Sequence, residues 1–177
     1  AAAPPEFLMP DASPRPPAAR ARAFTMMEVL VVVVILGVLA AIVIPQFANA
    51  SDSAKASVFV TNLDAFNKAA LLMYEDTGAY PEDATSGTLP TGFGDYIDES
   101  RWLNGTPIGG VWDCERDTFG FRSSLGVHFQ DPDDVPPLTY MTEIDARVDN
   151  GDLGSGAFQD IVDGERYYQI VDARPAQ

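Results

Sequence analysis

The sequence predicts an α+β fold in which one long N-terminal helix carries a head built on a small antiparallel β-sheet. An apolar run near the N-terminus passes without a break into an amphipathic helical pattern. The distal part of the chain then alternates short β-prone runs with clusters of Gly, Pro and Asp. A sheet of such short strands needs an apolar partner face, which the amphipathic part of the helix supplies.

Length and composition narrow the possible functions. A chain of 177 residues suits one compact domain with an appendage and excludes a large multidomain enzyme. The 26 Asp and Glu residues outnumber the 11 Lys and Arg residues, and the net charge of -15 argues against direct binding of nucleic acid. Cys114 is the single cysteine of the sequence, so an intrachain disulfide and a zinc site built from several thiolates are both excluded.

Residues 1–23 and 24–45 read as a leader and a membrane segment. The first range is rich in Pro and Ala and carries its arginines near its end, which is typical of an unfolded basic leader. From Phe24 to Ile44 the one charged residue is Glu28. A helix rising about 1.5 Å per residue would cover roughly 32 Å here, enough for a hydrocarbon core of about 30 Å. The arginines place the leader in the cytoplasm and the head on the other side.

Residues 46–78 continue the helix in water. Apolar side chains recur at spacings of four, three, four and three, at Phe59, Leu63, Phe66, Ala70 and Met73. Gly78 is a suitable helix stop, and Pro81 could not continue the helix. We therefore expect one helix from Phe24 to Thr77, bent near Pro45, where a main-chain hydrogen bond is missing.

Residues 79–177 are expected to form the small α+β head. Its β-prone runs are Gly110–Asp113, Thr118–Arg122, Leu125–Phe129 and Tyr167–Asp172. Between the third and fourth runs, residues 138–148 have the pattern of a short helix, closed by Asn150 and Gly151. The large aromatic residues Trp102, Trp112, Tyr167 and Tyr168 are expected to pack this sheet rather than to form a binding patch.

Two short segments carry a family resemblance. Phe24-Thr25-Met26-Met27-Glu28, the apolar run that follows it and Pro45-Gln46-Phe47 resemble the N-terminus of type IV pilin-like proteins. Thr77-Gly78-Ala79-Tyr80-Pro81 resembles the segment that closes the long helix in type II secretion pseudopilins. The resemblance implies a pilin-like fold, cleavage between Ala23 and Phe24 by a prepilin peptidase, and N-methylation of Phe24.

The sequence departs from that family at two places. The residue before the cut is usually Gly, whereas here it is the small residue Ala23. The Asp-Pro-Trp-Gly signature of the major pseudopilin is absent, and Gly110-Val111-Trp112-Asp113 is only weakly similar to it.

Glu28 is the most informative single residue. An ionisable side chain in an apolar helix costs about 2.5 to 3.5 kcal/mol and usually marks pairing or function. After cleavage, the Phe24 amine of a neighbouring subunit would lie at a similar depth, so we expect Glu28 to act in assembly. The other interpretation is a glutamate near a helix end that reaches the lipid headgroups and is stabilised by the positive helix N-terminus.

The resemblance implies a structural subunit of a type II secretion pseudopilus or related filament, and not an enzyme. The implied partners are other copies of the chain, other pseudopilins, the prepilin peptidase, an assembly ATPase and its platform protein, at the inner membrane. One alternative is a minor or competence pilin acting in adhesion, motility or DNA uptake. Another is a secreted or anchored binding module that does not polymerise. Ala48-Asn49-Ala50 fits a signal-peptidase site, and a cut there would make Ser51 the first residue.

Two further groups of residues have side chains suited to a metal site or to catalysis. Asp145, Asp149, Asn150 and Asp152 offer oxygen ligands for calcium, although helix capping and a solvated acidic surface are the simpler explanation for them. No other cofactor is expected. Cys114 and His128 make a poor nucleophile and base, because the neighbouring acidic residues would raise the pKa of the thiol. His128 alternates away from its apolar neighbours and is expected to face solvent.

Overall fold

The computed structural model describes residues 24–162 and 164–174 of the chain. The predicted leader, including Ala23, lies outside the described residues. The helices are α1 (Met26–Thr77), α2 (Glu99–Leu103) and α3 (Leu138–Val148), the strands are β1 (Val111–Thr118), β2 (Phe121–His128), β3 (Phe158–Val162) and β4 (Arg166–Asp172), and short 3-10 turns lie at Phe93–Asp95 and Pro132–Asp134. The chain divides into two compact units, which meet in sequence between Val43 and Ile44.

The predicted long helix is confirmed. It begins one residue after Thr25 and continues through Pro45, which lies inside α1. It ends at Thr77, and Gly78 follows in the left-handed conformation with φ 77°. The Gly78 amide donates to the Tyr74 carbonyl oxygen at 2.8 Å, which satisfies one of the carbonyl groups left free at a helix end. The bend at Pro45 stays a prediction.

In the unit that starts at Ile44, α1 packs on the sheet through the predicted apolar stripe. All five residues of that stripe are buried. Phe59 stacks on Trp112 of β1 with ring centroids 5.1 Å apart, and Phe66 meets the same indole edge-on at 4.9 Å. Trp102, Tyr167 and Tyr168 are also buried, so the expected packing role of the large aromatic residues is confirmed.

The sheet is antiparallel and four-stranded, in the order β1-β2-β4-β3. The predicted α+β class with a small antiparallel sheet is therefore confirmed. The strand expected at Thr118–Arg122 is wrong, since Thr118 pairs with Phe121 and the two residues between them form the turn of the β1–β2 hairpin. β3 was not predicted, because this short edge strand contains polar residues and follows a Gly- and Ser-rich turn.

The segment between α1 and α2 covers the edge of β1. The Gly87 amide donates to the Trp112 carbonyl oxygen at 2.8 Å, and the Arg116 guanidinium donates to the Tyr80 carbonyl oxygen at 3.1 Å. The thiol of Cys114 lies 3.0 Å from the Glu82 carbonyl oxygen. The first contact satisfies a main-chain carbonyl of β1, and the other two join β1 side chains to carbonyls of the covering segment. The segment thus covers an edge strand that would otherwise be open to pairing with another chain.

Replacing Phe59 by Ala is expected to lower the free energy of unfolding by about 3 to 5 kcal/mol, because the change leaves a cavity beside Trp112. The neighbouring Val58 is 50% exposed, so Val58→Ala is the matched control and should change the stability by less than about 1 kcal/mol. Thermal unfolding of the full chain, followed by near-ultraviolet circular dichroism, measures both. Equal losses of Tm in the two variants would contradict the packing described.

Candidate functional site

The first turn of α1 holds Glu28 through a reciprocal pair of contacts with Thr25. The Glu28 amide donates to Thr25 Oγ1 at 3.2 Å, and the Thr25 amide donates to Glu28 Oε2 at 3.5 Å. This arrangement is a capping box, in which each side chain satisfies an amide that the helix leaves free. Glu28 is therefore oriented at the positive end of α1, and both Glu28 and Phe24 are exposed.

The helix that follows this turn is apolar on every side. Between Phe24 and Phe47 the large apolar side chains are 43% to 93% exposed. Among the described residues, α1 is the one helix that is long and apolar enough to cross a membrane. This apolar surface is unfavourable in water, whereas lipid or other apolar helices could pack against it.

The acidic residues proposed for calcium lie at the end of α3 and in the loop behind it. The predicted helix over residues 138–148 is confirmed. Asn150 Oδ1 accepts from the Asp152 amide at 2.7 Å, and Asp152 Oδ1 accepts from the Gly154 amide at 3.1 Å. The Asp149 carboxylate accepts from the amide of Ala157. The loop thus uses much of its own oxygen set to hold its backbone.

Asp145 differs from the other members of this group because it is fully buried. Within residues 24–162 and 164–174, neither of its carboxylate oxygens has a hydrogen-bond partner. Burial and, to a smaller degree, the charge of Asp149 raise the pKa of Asp145, and the nearby amides of Gly151 and Asp152, which do not reach hydrogen-bond geometry, offset part of that rise. In the described ranges no three His, Cys, Asp or Glu side chains gather closely enough to hold a metal ion. Calcium at this loop stays a prediction.

Sequence reasoning missed a buried polar network on the face of the sheet turned away from α1. The Tyr168 hydroxyl donates to Asp113 Oδ2 at 2.6 Å, and Ser86 Oγ donates to the same oxygen at 2.8 Å. Gly126 pairs with both Asp113 and Tyr168, and a Cβ at Gly126 would clash with the Tyr167 carbonyl. The glycine therefore lets the Tyr168 side chain reach across β2.

His128 belongs to this network, so the expectation that it faces solvent is wrong. Its side chain is 15% exposed, and its Nδ1 lies 2.8 Å from Ser86 Oγ. The alternation along β2 does turn His128 away from the core, but the segment that contains Ser86 covers that face. Burial, with Arg166 as the second cause, lowers the pKa of His128.

The network does not have the arrangement of a hydrolase site. Ser86 Oγ and Asp113 Oδ2 approach the same ring nitrogen of His128, Nδ1, at 2.8 and 3.8 Å, whereas in a catalytic triad the serine and the carboxylate contact opposite ring nitrogens. Cys114 is buried in the core, and burial together with the charge of Asp113 raises the pKa of its thiol. The expected unreactive, structural character of Cys114 is thus supported by its position.

Glu115 also belongs to this network, and several charged side chains lie near its carboxylate. Its Oε1 pairs with Arg166 Nη1 at 2.8 Å. Burial, followed by the charges of Asp83 and Asp113, raises the pKa of Glu115 to about 7, and Arg166 opposes part of that rise. Asp113 also has a raised pKa, caused first by burial and opposed by the hydrogen bonds from Tyr168 and Ser86.

Glu115→Gln is expected to flatten the dependence of stability on pH. The folded chain holds the Glu115 proton up to a pKa of about 7, whereas the unfolded chain releases it near the ordinary glutamate pKa of 4.5. The free energy of unfolding therefore falls as pH rises between these values, by about 1 to 3 kcal/mol from this group. Urea titrations of the wild type and the variant at several pH values measure the difference in slope.

The matched control is Glu143→Gln, which alters an exposed carboxylate on α3 and should keep the wild-type slope. Glu115→Gln also removes the ion pair with Arg166 and so lowers the free energy of unfolding by a constant amount. Comparing the slopes against pH, rather than the absolute stabilities, cancels this loss. A wild-type slope in Glu115→Gln would contradict the proton assigned to this side chain.

Comparison with known proteins finds a family match in the N-terminal segment. Residues 18–44 match the family model described as the prokaryotic N-terminal methylation motif. The match includes Phe24, the capping box and the apolar part of α1 as far as Ile44. No solved structure matches the chain at a significant level.

Two curated relatives share part of the chain. The type II secretion system core protein G of Pseudomonas aeruginosa is 51% identical over 59 residues, which are 33% of this chain and 41% of that protein. The type II secretion system core protein G of Klebsiella pneumoniae is 43% identical over 63 residues, 35% of this chain and 44% of its own length. The chain thus spans less than half the length of these relatives. It carries a type IV pilin-like N-terminal methylation motif and is partially homologous to type II secretion core protein G.

Proposed function

We propose that the chain is a structural subunit of a type II secretion pseudopilus or of a related type IV pilus-like filament. The observation that carries the proposal is a methylation motif placed on a helix that is apolar and exposed around its whole circumference. Such a helix needs lipid while the subunit is single and can exchange lipid for other subunits' helices when it assembles. The subunit works by assembling and performs no chemical reaction itself.

Processing is the first step of this mechanism. A prepilin peptidase removes the basic leader, residues 1–23, between Ala23 and Phe24. Ala23 is nearly as small as the usual glycine and fits a protease pocket made for a small residue. Cleavage leaves a charged amine at Phe24, and N-methylation of this amine preserves its charge.

Assembly then pairs Glu28 with the Phe24 amine of a neighbouring subunit. Within the described part of the chain, the one hydrogen-bond donor to the Glu28 carboxylate is the Thr25 amide at 3.5 Å, a long contact with a neutral donor. A cationic amine is a stronger partner, and two charges that are each unfavourable in an apolar medium neutralise one another. The Thr25 contact orients the carboxylate before the partner arrives.

The apolar helix and the motif are consistent with anchoring in the inner membrane. We place residues 24–45 in that membrane, with Pro45 as a kink, and residues 46–78 and 79–177 in the periplasm. The partners would be further copies, other pseudopilins, the prepilin peptidase, and an assembly ATPase with its platform protein. The filament would reside in the periplasm and move secreted proteins outwards.

A minor or competence pilin is the second candidate. The absence of the Asp-Pro-Trp-Gly signature favours it, as does the restriction of similarity to about a third of the chain. A deletion strain separates the two: loss of secreted enzymes supports the secretion subunit, whereas loss of adhesion, twitching or transformation supports the pilin. A binding module that never polymerises would leave no filament in any background.

Replacing Glu28 by Val is expected to permit membrane insertion and cleavage but to abolish filaments, because no carboxylate remains to pair with the Phe24 amine. Filament yield in sheared fractions and by electron microscopy measures assembly, and intact mass measures cleavage. Thr25→Val is the matched control, since it removes the capping hydroxyl and keeps the charge of Glu28, and it should retain filaments at a reduced yield. Wild-type filament yield in Glu28→Val would refute the pairing.

Calcium binding at Asp145, Asp149, Asn150 and Asp152 is a separate proposal. Its support is the pair of buried Asp145 oxygens without a hydrogen-bond partner in the described part of the chain. If a cation binds there, adding a chelator should lower the Tm of the head by about 4 to 8 °C, the shift that corresponds to roughly 1 kcal/mol in a small domain. An Asp149→Asn variant should lose that response. No change in Tm on chelation would dismiss the site.

A further inference from the structure

The proposed assembly through α1 does not use a cleft on the outer face of the sheet. It has a volume of about 620 Å³ and lies between the segment after α1 and the tip of the β1–β2 hairpin. Its lining combines hydroxyl, carboxylate, guanidinium and aromatic groups, from Asp83, Thr85, Ser86, Glu115, Thr118, Phe119 and Arg166. This mixture differs from the apolar surface of α1 and from the uniformly acidic loop after α3.

Phe119 supplies the aromatic wall of the cleft. It occupies a hairpin turn position with φ 51°, beside Gly120 with φ 86°, where Asn is the favoured residue and a bulky side chain is rare. Its ring is 41% exposed and lies over Tyr168, with centroids 6.4 Å apart and planes inclined by 27°. A large apolar ring is therefore presented at the rim of a polar cleft.

The polar groups of the cleft include both donors and acceptors. Among the described residues, Arg166 makes one hydrogen bond, to Glu115, so further N–H groups of its guanidinium remain for a ligand. Asp83 and Thr85 are exposed in the segment after α1 and offer a carboxylate and a hydroxyl, and Asp83 lies near enough to Glu115 to raise the pKa of that group. A ligand with hydroxyl groups, each of which can donate and accept, matches such a lining.

The wall behind these groups is fixed. Tyr168 is fully buried and bound to Asp113, which also accepts from Ser86. Glu115 is almost completely buried and held by Arg166. Because these side chains are already ordered, a ligand would lose little of its binding energy to ordering the protein.

We propose that this cleft binds a neutral pyranose ring of a glycan, with one face of the sugar on Phe119 and its hydroxyls on Arg166, Asp83 and Thr85. The C–H groups of a sugar ring face carry a partial positive charge and pack on the negative face of an aromatic ring. An anion would be repelled by Asp83 and, at a pH above about 7, by Glu115 as well. An organic cation would meet the guanidinium of Arg166, so a neutral polyol fits the charges best.

The test uses the full chain in a zwitterionic detergent without a sugar headgroup. Cellotriose and chitotriose are titrated separately, and binding is followed by calorimetry and by amide chemical shifts. One of the two sugars should bind with a Kd on the order of 1 mM, typical of a single shallow sugar subsite. The shifts should concentrate at residues 83–86 and 115–119 and at Arg166.

Phe119→Asn separates the role of the ring from folding. Asn suits the left-handed turn position, so the variant should keep or raise the wild-type Tm, while the affinity for sugar should fall at least about tenfold. Leu103→Asn, which alters an apolar side chain that is 60% exposed outside the cleft, should bind as the wild type does.

Three results would overturn the proposal. One is the absence of localised shifts with either sugar, and another is unchanged affinity in Phe119→Asn. The third is tighter binding of free arginine at the same residues, lost in Glu115→Gln, which would make the cleft a cation site. None of these readouts depends on filament formation, so failure here leaves the proposed assembly role standing.

Discussion

The two parts of α1 need different surroundings, one apolar and one the folded head, and the rest of the described structure depends on this constraint. Up to Ile44, α1 exposes apolar side chains in every direction. From Ala56 onwards the same helix buries one stripe and exposes the other sides. The first part can be stable only in lipid or among other apolar helices, and the second only against a folded head. This division of α1 is consistent with the proposed anchoring in the membrane and the proposed assembly.

The second part of α1 organises the head. Its aromatic residues meet Trp112, and the sheet that carries Trp112 is small enough to need this partner face. On the other face, the absence of a side chain at Gly126 lets Tyr168 reach Asp113. The covering segment adds Ser86 to the same carboxylate and closes the edge of β1. The sheet is thus buried on both faces, one through apolar packing and the other through hydrogen bonds.

The sequence was sufficient for the features that depend on local periodicity. The spacing of the α1 stripe, the stop at Gly78 and the extent of α3 all follow from neighbours along the chain, and each is confirmed. The hairpin turn at Phe119 was missed because a bulky aromatic residue is not a usual turn signal.

The polar network could not be predicted, because it depends on which strands pair and in what register. Asp113 and Tyr168 are far apart in sequence and meet only across Gly126 of the intervening strand. The prediction that His128 faces solvent was wrong for a related reason. Alternation along a strand shows which face a side chain occupies but not which segment covers that face. A signal was present in the acidic residues Asp113 and Glu115, which alternate along a strand that also contains Trp112 and are unusual there.

Assembly through α1 requires that the mature chain begin at Phe24. Intact mass and N-terminal sequencing of protein extracted from the membrane should find Phe24 as the first residue, with a mass that shows the added methyl group. That result would place a charged amine next to Glu28 and leave the apolar helix in the mature subunit. A chain that retains its leader, or one that begins at Ser51, would contradict assembly through this helix.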